Sequence, residues 1–127
     1  MRRLAVTEKR QNMVEKRENF ILNNAEVEPG TIWNGELELS EGQICLPVTI
    51  LHGKKKGKTV LITAGVHAGE YVGIQAAIEL SRKLKIEKVA GTVILVKVVN
   101  RPAFEKRKGS MGLTDEKNLN RVFPGCP

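Results

Sequence analysis

Aromatic residues are scarce in this chain: one Trp, one Tyr and three Phe among 127 residues. Single-stranded nucleic acid is held largely by stacking bases on aromatic rings. The formal charge of +7 and the pI near 9.7 therefore lack the platforms that would turn basicity into such a site. The cations are also dispersed, at Arg2-Arg3, Lys54-Lys55-Lys56, Arg82-Lys83 and Lys106-Arg107-Lys108. That pattern reads as solvated faces, and no nucleic-acid partner is expected. Cysteine is nearly absent. Cys45 and Cys126 match no metal-binding or redox spacing, and Cys45 reads as a small core residue of an apolar strand. No segment approaches the roughly 20 apolar residues that span a membrane. The charged start Met1-Arg2-Arg3 is not followed by the apolar stretch of a signal peptide. The expectation is a cytoplasmic protein with no membrane partner. A Gly-x-Ser-x-Gly elbow is missing, and neither Cys has an evident His partner, so nucleophilic catalysis has no candidate.

What is present suffices for one domain, with 41% hydrophobic residues. Thr7 to Phe20 is charged, with a thin apolar stripe of Met13, Val14 and Phe20, and reads as a surface helix or an N-terminal arm. Asn23 to Gly30, closing on Pro29-Gly30, reads as a linker or turn. From Thr31 the polarity alternates through Leu39, turns at Ser40-Glu41-Gly42-Gln43, and resumes with Ile44, Leu46, Val48 and Ile50 on one face. This predicts an antiparallel hairpin. Pro47 cannot donate to a ladder, which predicts that its strand lies at a sheet edge. His52 to Lys58 reads as a basic hairpin turn. Its Gly57-Lys58-Thr59 ends like a phosphate-binding loop, but His52 stands where the first Gly is needed and a strand follows instead of a helix, so that reading is rejected.

The stretch from Thr59 to Leu84 organises the chain. Val60-Leu61-Ile62 reads as a buried strand, Gly65 breaks it, and His67 and Glu70 follow at once. A helix is then predicted over about Tyr71–Leu84, with Ile74, Ala77, Ile78, Ser81 and Leu84 on one face. Thr92 to Val99 is β-branched and nearly continuous, as in a parallel strand covered on both sides. Strand, helix and strand in this order form a βαβ unit. It places His67 and Glu70 outside the carboxyl end of a strand, where open α/β sheets bind ligands.

Two constellations could carry chemistry. His67 and Glu70 stand three apart across a turn into a helix, so an imidazole nitrogen and a carboxylate can converge on one ion, a mixed ligation that zinc accepts. Spacing alone equally allows His67 to satisfy a backbone group and Glu70 to cap the helix. Asn120 and Arg121 offer an amide and a guanidinium, which suit a carboxylate ligand. A surface Arg beside a turn Asn is the plainer alternative.

The segments LITAGVHAGEYVGIQAA, GTVILVKVVNRPAF and KNLNRVFPG, in this order, resemble the succinylglutamate desuccinylase and aspartoacylase family, zinc-dependent deacylases related to the zinc carboxypeptidases. The resemblance runs from about Thr31 to the last residue. It implies an α/β fold, a zinc-carboxypeptidase-like mixed sheet with a central βαβ unit; the β-hairpin and the N-terminal helix that precede this unit are read from the residue pattern, and Thr7 to Phe20 lies outside the resemblance. It implies that His67 and Glu70 bind Zn2+ and that Asn120 and Arg121 hold the carboxylate of an N-acyl amino acid-like substrate. The amide would be hydrolysed to a free amine and a carboxylate. Family members often carry an Arg shortly before the Asn-Leu-Asn-Arg run. Here that region reads Gly109-Ser110-Met111-Gly112-Leu113, and Arg107 is the nearest candidate.

In the family pattern the third zinc ligand, a His, and the general-base Glu both come later than residue 127. The expected organisation is thus an arm at 1–24 and, at 25–127, the N-terminal portion of a deacylase catalytic domain. Such an incomplete domain is expected to be inactive alone, with exposed apolar surface able to drive self-association. The competing reading is a non-catalytic binding or assembly module on the same half-fold.

Overall fold

The computed structural model describes residues 16–109 and 116–125. The helix or arm expected over Thr7–Phe20 lies mostly outside these residues. The elements run β1 (Phe20–Leu22), β2 (Ala25–Val27), β3 (Thr31–Leu39), β4 (Ile44–His52), β5 (Lys55–Thr63), α1 (Tyr71–Lys83), β6 (Ala90–Val96) and α2 (Arg101–Glu105). The strands make a small β1-β2 sheet and a four-stranded mixed sheet in the order β3-β4-β6-β5.

The expected hairpin is present. β3 and β4 pair antiparallel over nine rungs, from Thr31↔His52 to Leu39↔Ile44. The expected βαβ unit is present as well: β5 and β6 pair parallel, from Thr59↔Thr92 to Thr63↔Val96, with α1 between them in sequence. The mixed character of the sheet arises at β4, which is antiparallel to both β3 and β6.

That arrangement corrects the reading of Pro47. β4 is an internal strand. Its ladder with β6 begins at Val48↔Val96, and the Pro47 carbonyl accepts from Lys97 N at 3.0 Å. The missing Pro47 donor therefore falls on the last rung beside β6, where the loss of one bond is tolerated. The basic stretch after His52 is likewise not a hairpin turn between paired strands, because β6 lies between β4 and β5.

Burial follows this order. On one face Leu46, Val48 and Ile50 of β4 pack with Leu37 of β3 and with Ile94 and Val96 of β6. Leu51 and Leu95, which alternate with these along their strands, are also fully buried. β6 is covered along most of its length, as its unbroken apolar run implies. β5 differs from expectation. It is an edge strand among the described residues, with Val60 46% and Leu61 61% exposed. An apolar triplet reports the tendency to be buried, not whether a neighbour is there to bury it.

The segment read as a linker also belongs to the fold. β1 and β2 form a hairpin with register Phe20↔Val27, and Ala25 and Val27 are buried in the same core cluster. Asn23, with φ 48, supports the left-handed turn. The Asn24 amide then bonds the free edge of β3 twice. Its Nδ2 donates to Glu36 O at 3.0 Å, and its Oδ1 accepts from Glu38 N at 2.9 Å. Asparagine composition, which signals loops, here serves to cover a sheet edge.

Candidate functional site

The carboxyl ends of the two parallel strands are tied together beyond their regular ladder. Ala64 N donates to Val96 O at 3.0 Å, Val99 N to Ala64 O at 2.9 Å, and Asn100 N to Gly65 O at 2.9 Å. Gly65 then turns the chain with φ +65, and a Cβ there would meet Ile74 Cγ1 at 3.1 Å and Val98 Cα at 3.2 Å. A close turn of left-handed backbone thus launches the segment that carries His67 and Glu70. Ala68, 2% exposed, fixes that segment from below, and Gly69 N donates to Gly109 O at 3.1 Å from the far side.

Glu70 occupies the N-cap position of α1 but makes no capping bond with its side chain. Its carboxylate faces the imidazole instead: His67 Nδ1 and Glu70 Oε1 stand 3.0 Å apart. The other ring nitrogen, Nε2, lies 2.9 Å from Asn118 Oδ1. Neither bond is to the backbone, so the pair is not explained by helix capping or by a backbone-satisfying His.

Proton positions follow from the acceptors. Asn118 Oδ1 also accepts from Asn120 N at 3.0 Å, which fixes its oxygen as the atom facing the ring. Nε2 therefore donates. A carboxylate likewise accepts, so Glu70 favours the form of the ring in which Nδ1 is protonated. The imidazole pKa is accordingly raised, first by the Glu70 hydrogen bond and then by Asn118, while the Arg121 charge opposes it. His67 is partly buried and Glu70 is open to solvent.

Of the residues singled out in the sequence, His67 and Glu70 are brought into direct contact. Arg121 stands near enough for its charge to be felt at the His67 ring. Asn120 joins through its backbone N–H, and the side chains of Asn120 and Arg121 are exposed. Arg107 is exposed just after α2 with φ 53, and residues 110–115 lie outside the described part.

Two features escaped the sequence reading. One is Asn118, which caps the 3-10 turn Leu119–Arg121 and holds His67. An Asn two residues before another Asn, ahead of a short turn, was the available signal. The other is α2, capped by buried Asn100, whose Oδ1 accepts from Ala103 N at 3.4 Å.

The donor set fits a divalent metal in part. Two ligands on a tetrahedral zinc, each about 2.0–2.1 Å from the ion, stand roughly 3.3 Å apart. The 3.0 Å between Nδ1 and Oε1 is close to that bite. Asn118 already supplies the outer hydrogen bond that a ligating His normally makes through its second nitrogen. Among the described residues no group of three or more His, Cys, Asp or Glu converges, so the pair is two ligands without a third.

A mixed sheet with polar side chains gathered at the carboxyl ends of its parallel strands is an α/β domain with a candidate site where open α/β sheets bind ligands. Comparison with known proteins narrows this class. The family model of the succinylglutamate desuccinylase/aspartoacylase catalytic domain matches residues 56–127, and the chain belongs to that family. It is 41% identical over 90 residues to the N-alpha-acetyl-L-2,4-diaminobutyric acid deacetylase of Halomonas elongata, a match covering 71% of this chain and 26% of that protein. Among solved structures, it resembles the succinylglutamate desuccinylase/aspartoacylase of Rhodobacter sphaeroides, with a TM-score of 0.63 and 32% identity over 87% of this chain and 32% of that one. The product-bound ectoine utilization protein EutE (DoeB) of Ruegeria pomeroyi matches with a TM-score of 0.64 and 30% identity, over 87% of this chain and 32% of that one. The chain thus spans about a quarter of the curated relative and about a third of these solved neighbours. No helix among the described residues is long and apolar enough to cross a membrane.

Proposed function

We propose that this chain is the N-terminal portion of a zinc-dependent deacylase that hydrolyses the amide of an N-acyl amino acid. The observation that carries the reading is the 3.0 Å approach of His67 Nδ1 to Glu70 Oε1, with Nε2 held from behind. In this reading His67 and Glu70 hold the metal. Zinc bound there would supply carbonyl polarisation and a water of lowered pKa. Asn120 and Arg121 orient the substrate through its carboxylate, the guanidinium with two parallel hydrogen bonds and the amide with a third. The substrate class takes support from the relative that acts on an N-acetylated diamino acid. The catalytic-domain portion expected over residues 25–127 takes in β1 as well, because Phe20–Leu22 pairs with Ala25–Val27 and packs on the same core.

Two ligands bind zinc weakly and leave hydrolysis incomplete, so binding is the test. Calorimetry of the 127-residue chain should detect zinc uptake that His67→Ala abolishes. Absence of uptake, or uptake unchanged in His67→Ala, overturns the zinc reading.

One observation favours the assembly reading as a second role. Val60, Leu61 and Val72 are 46%, 61% and 87% exposed on β5 and the start of α1, and apolar side chains left in water drive association. Light scattering should then show oligomers that Leu61→Lys reduces. A monodisperse monomer would eliminate this role.

A further inference from the structure

Asn118 touches both halves of the site. Its Oδ1 accepts from His67 Nε2 at 2.9 Å and from Asn120 N at 3.0 Å, and its backbone carbonyl accepts from Arg121 N at 2.8 Å. A carboxamide oxygen has two lone pairs, and both are committed here. One donor comes from the segment after β5, the other from a turn 51 residues later than His67. No other hydrogen bond described joins His67 to that turn.

We propose that Asn118 is a positioning residue that couples the metal pair to the carboxylate-gripping turn, so that a divalent metal on His67 and Glu70 orders Asn120 and Arg121. The inference rests on the zinc reading above and goes beyond it. The physical chain is short. An imidazole is rigid, so fixing Nδ1 on an ion also fixes where Nε2 points. A fixed Nε2–H holds Asn118 Oδ1, and a held Oδ1 keeps the Asn120 N–H bonded and the 3-10 turn closed. Coupling of this kind is reciprocal: a carboxylate gripped by Arg121 tightens metal binding by the same factor. Asn suits the role because its oxygen accepts from both donors without adding a second negative charge beside Glu70.

The test uses the labelled 127-residue chain, zinc as the probe and amide hydrogen exchange as the readout. At zinc levels that saturate the shift of the His67 ring resonances, exchange at Asn120 N–H should slow about three- to tenfold, the range of one modest hydrogen bond. Asn118→Ala should lose this slowing and bind zinc about tenfold more weakly, as is usual when an outer-shell partner is removed. Asn118→Asp, which keeps the acceptor, should retain the slowing. A zinc-induced shift at His67 with unchanged Asn120 exchange in the natural chain overturns the coupling and leaves the metal reading intact. So does slowing that persists in Asn118→Ala. If His67 does not respond to zinc at all, the metal reading falls and the coupling with it. Should Asn118→Ala lose its amide dispersion, the natural chain with and without zinc and the Asn118→Asp variant still decide.

Discussion

The Arg17 guanidinium donates to Thr92 Oγ1 at 2.9 Å, at the opposite end of β6 from His67. The same hydroxyl faces His52 Nδ1 at 2.8 Å, and His52 Nε2 faces the Glu18 carbonyl at 2.9 Å. A carbonyl only accepts, so Nε2 donates. In the neutral ring Nδ1 then accepts from the Thr92 hydroxyl, whose oxygen accepts from Arg17. The donors run in one direction, from Arg17 through Thr92 and His52 to Glu18. His52 is 2% exposed, with Phe20 tilted over it at 5.7 Å between ring centroids. The lysine-flanked His52 is thus a structural clasp for the chain before β1.

Arg17 also donates to Gly53 O, Gly91 O and Lys55 O at 2.6, 2.8 and 3.1 Å. Arg17→Met removes the charged donor and leaves a cradle of carbonyls without it. Hydrogen bonds from a charged donor contribute about 1.5–3 kcal/mol, so we expect a fall in melting temperature of about 10 °C. Thr92→Val should weaken the same clasp, and the double variant should lose less than the sum of the two. Thermal melts of the three variants check this, and simple additivity would show that the residues act independently.

Much of this molecule was legible in its residues. The alternation through Thr31–Leu39 and Ile44–Ile50, the break at Gly65 and the helical period after Tyr71 each report a local preference, and the local elements follow them. What stayed hidden is set by partners distant in sequence. Pro47 marks an edge by its local chemistry, yet whether its missing donor matters depends on where β6 ends beside it. Val60 and Leu61 carry strand chemistry, but their exposure depends on the absence of a neighbour among the described residues. His67 and Glu70 were found because their spacing is local. Asn118 carries a local signal for the turn it caps, but its bond to His67, 51 residues away, leaves none.

Asn24 offers a direct test of edge protection. Its amide fills two backbone positions of the β3 edge through Glu36 O and Glu38 N. Both bonds are solvent-exposed, so Asn24→Ala should cost about 1 kcal/mol by urea denaturation. Asn24→Asp keeps the bond from Glu38 N and loses the donor to Glu36 O, so it should fall between. Equal stability of all three proteins would mean that water replaces the amide without loss.

Acid stability should carry a small contribution from α1. The Glu79 carboxyl is held below its ordinary value of 4.5, first by the Gln75 amide at 3.1 Å and then by the Lys83 ammonium at 3.1 Å. A folded-state pKa below the unfolded one stabilises above the unfolded value, and the benefit is lost as pH falls through the folded value. Glu79→Gln should therefore melt slightly below the natural chain at pH 7 and converge with it as pH falls through the lowered Glu79 value. The difference between the two melting curves, followed from pH 7 to pH 3, isolates this group. A constant offset would show that the ion pair contributes nothing.

Gly65 links backbone strain to the site. Its φ of +65 lies in the left-handed region, and an added Cβ would press on Ile74 Cγ1 and on the Val98 backbone. Left-handed backbone costs a residue with a Cβ about 1–2 kcal/mol, before any contact is counted. The Ile74 side chain can give way, but the Val98 backbone is bound into the strand-end network through Val99 N and Asn100 N. The relief in Gly65→Ala must then come from the turn itself, which carries His67. We expect a loss of about 2 kcal/mol in stability together with weakened zinc uptake, because the Nδ1–Oε1 approach depends on that turn. Gly73→Ala is the control. Nothing lies within 4 Å of a Cβ at Gly73, in the first turn of α1, and Ala there should be neutral or stabilise by about 0.5 kcal/mol. If Gly65→Ala is destabilised but binds zinc like the natural chain, the turn is fixed by Ala68 and Gly69 and not by the glycine. If it is stable and binds normally, the left-handed turn has no part in presenting the ligands.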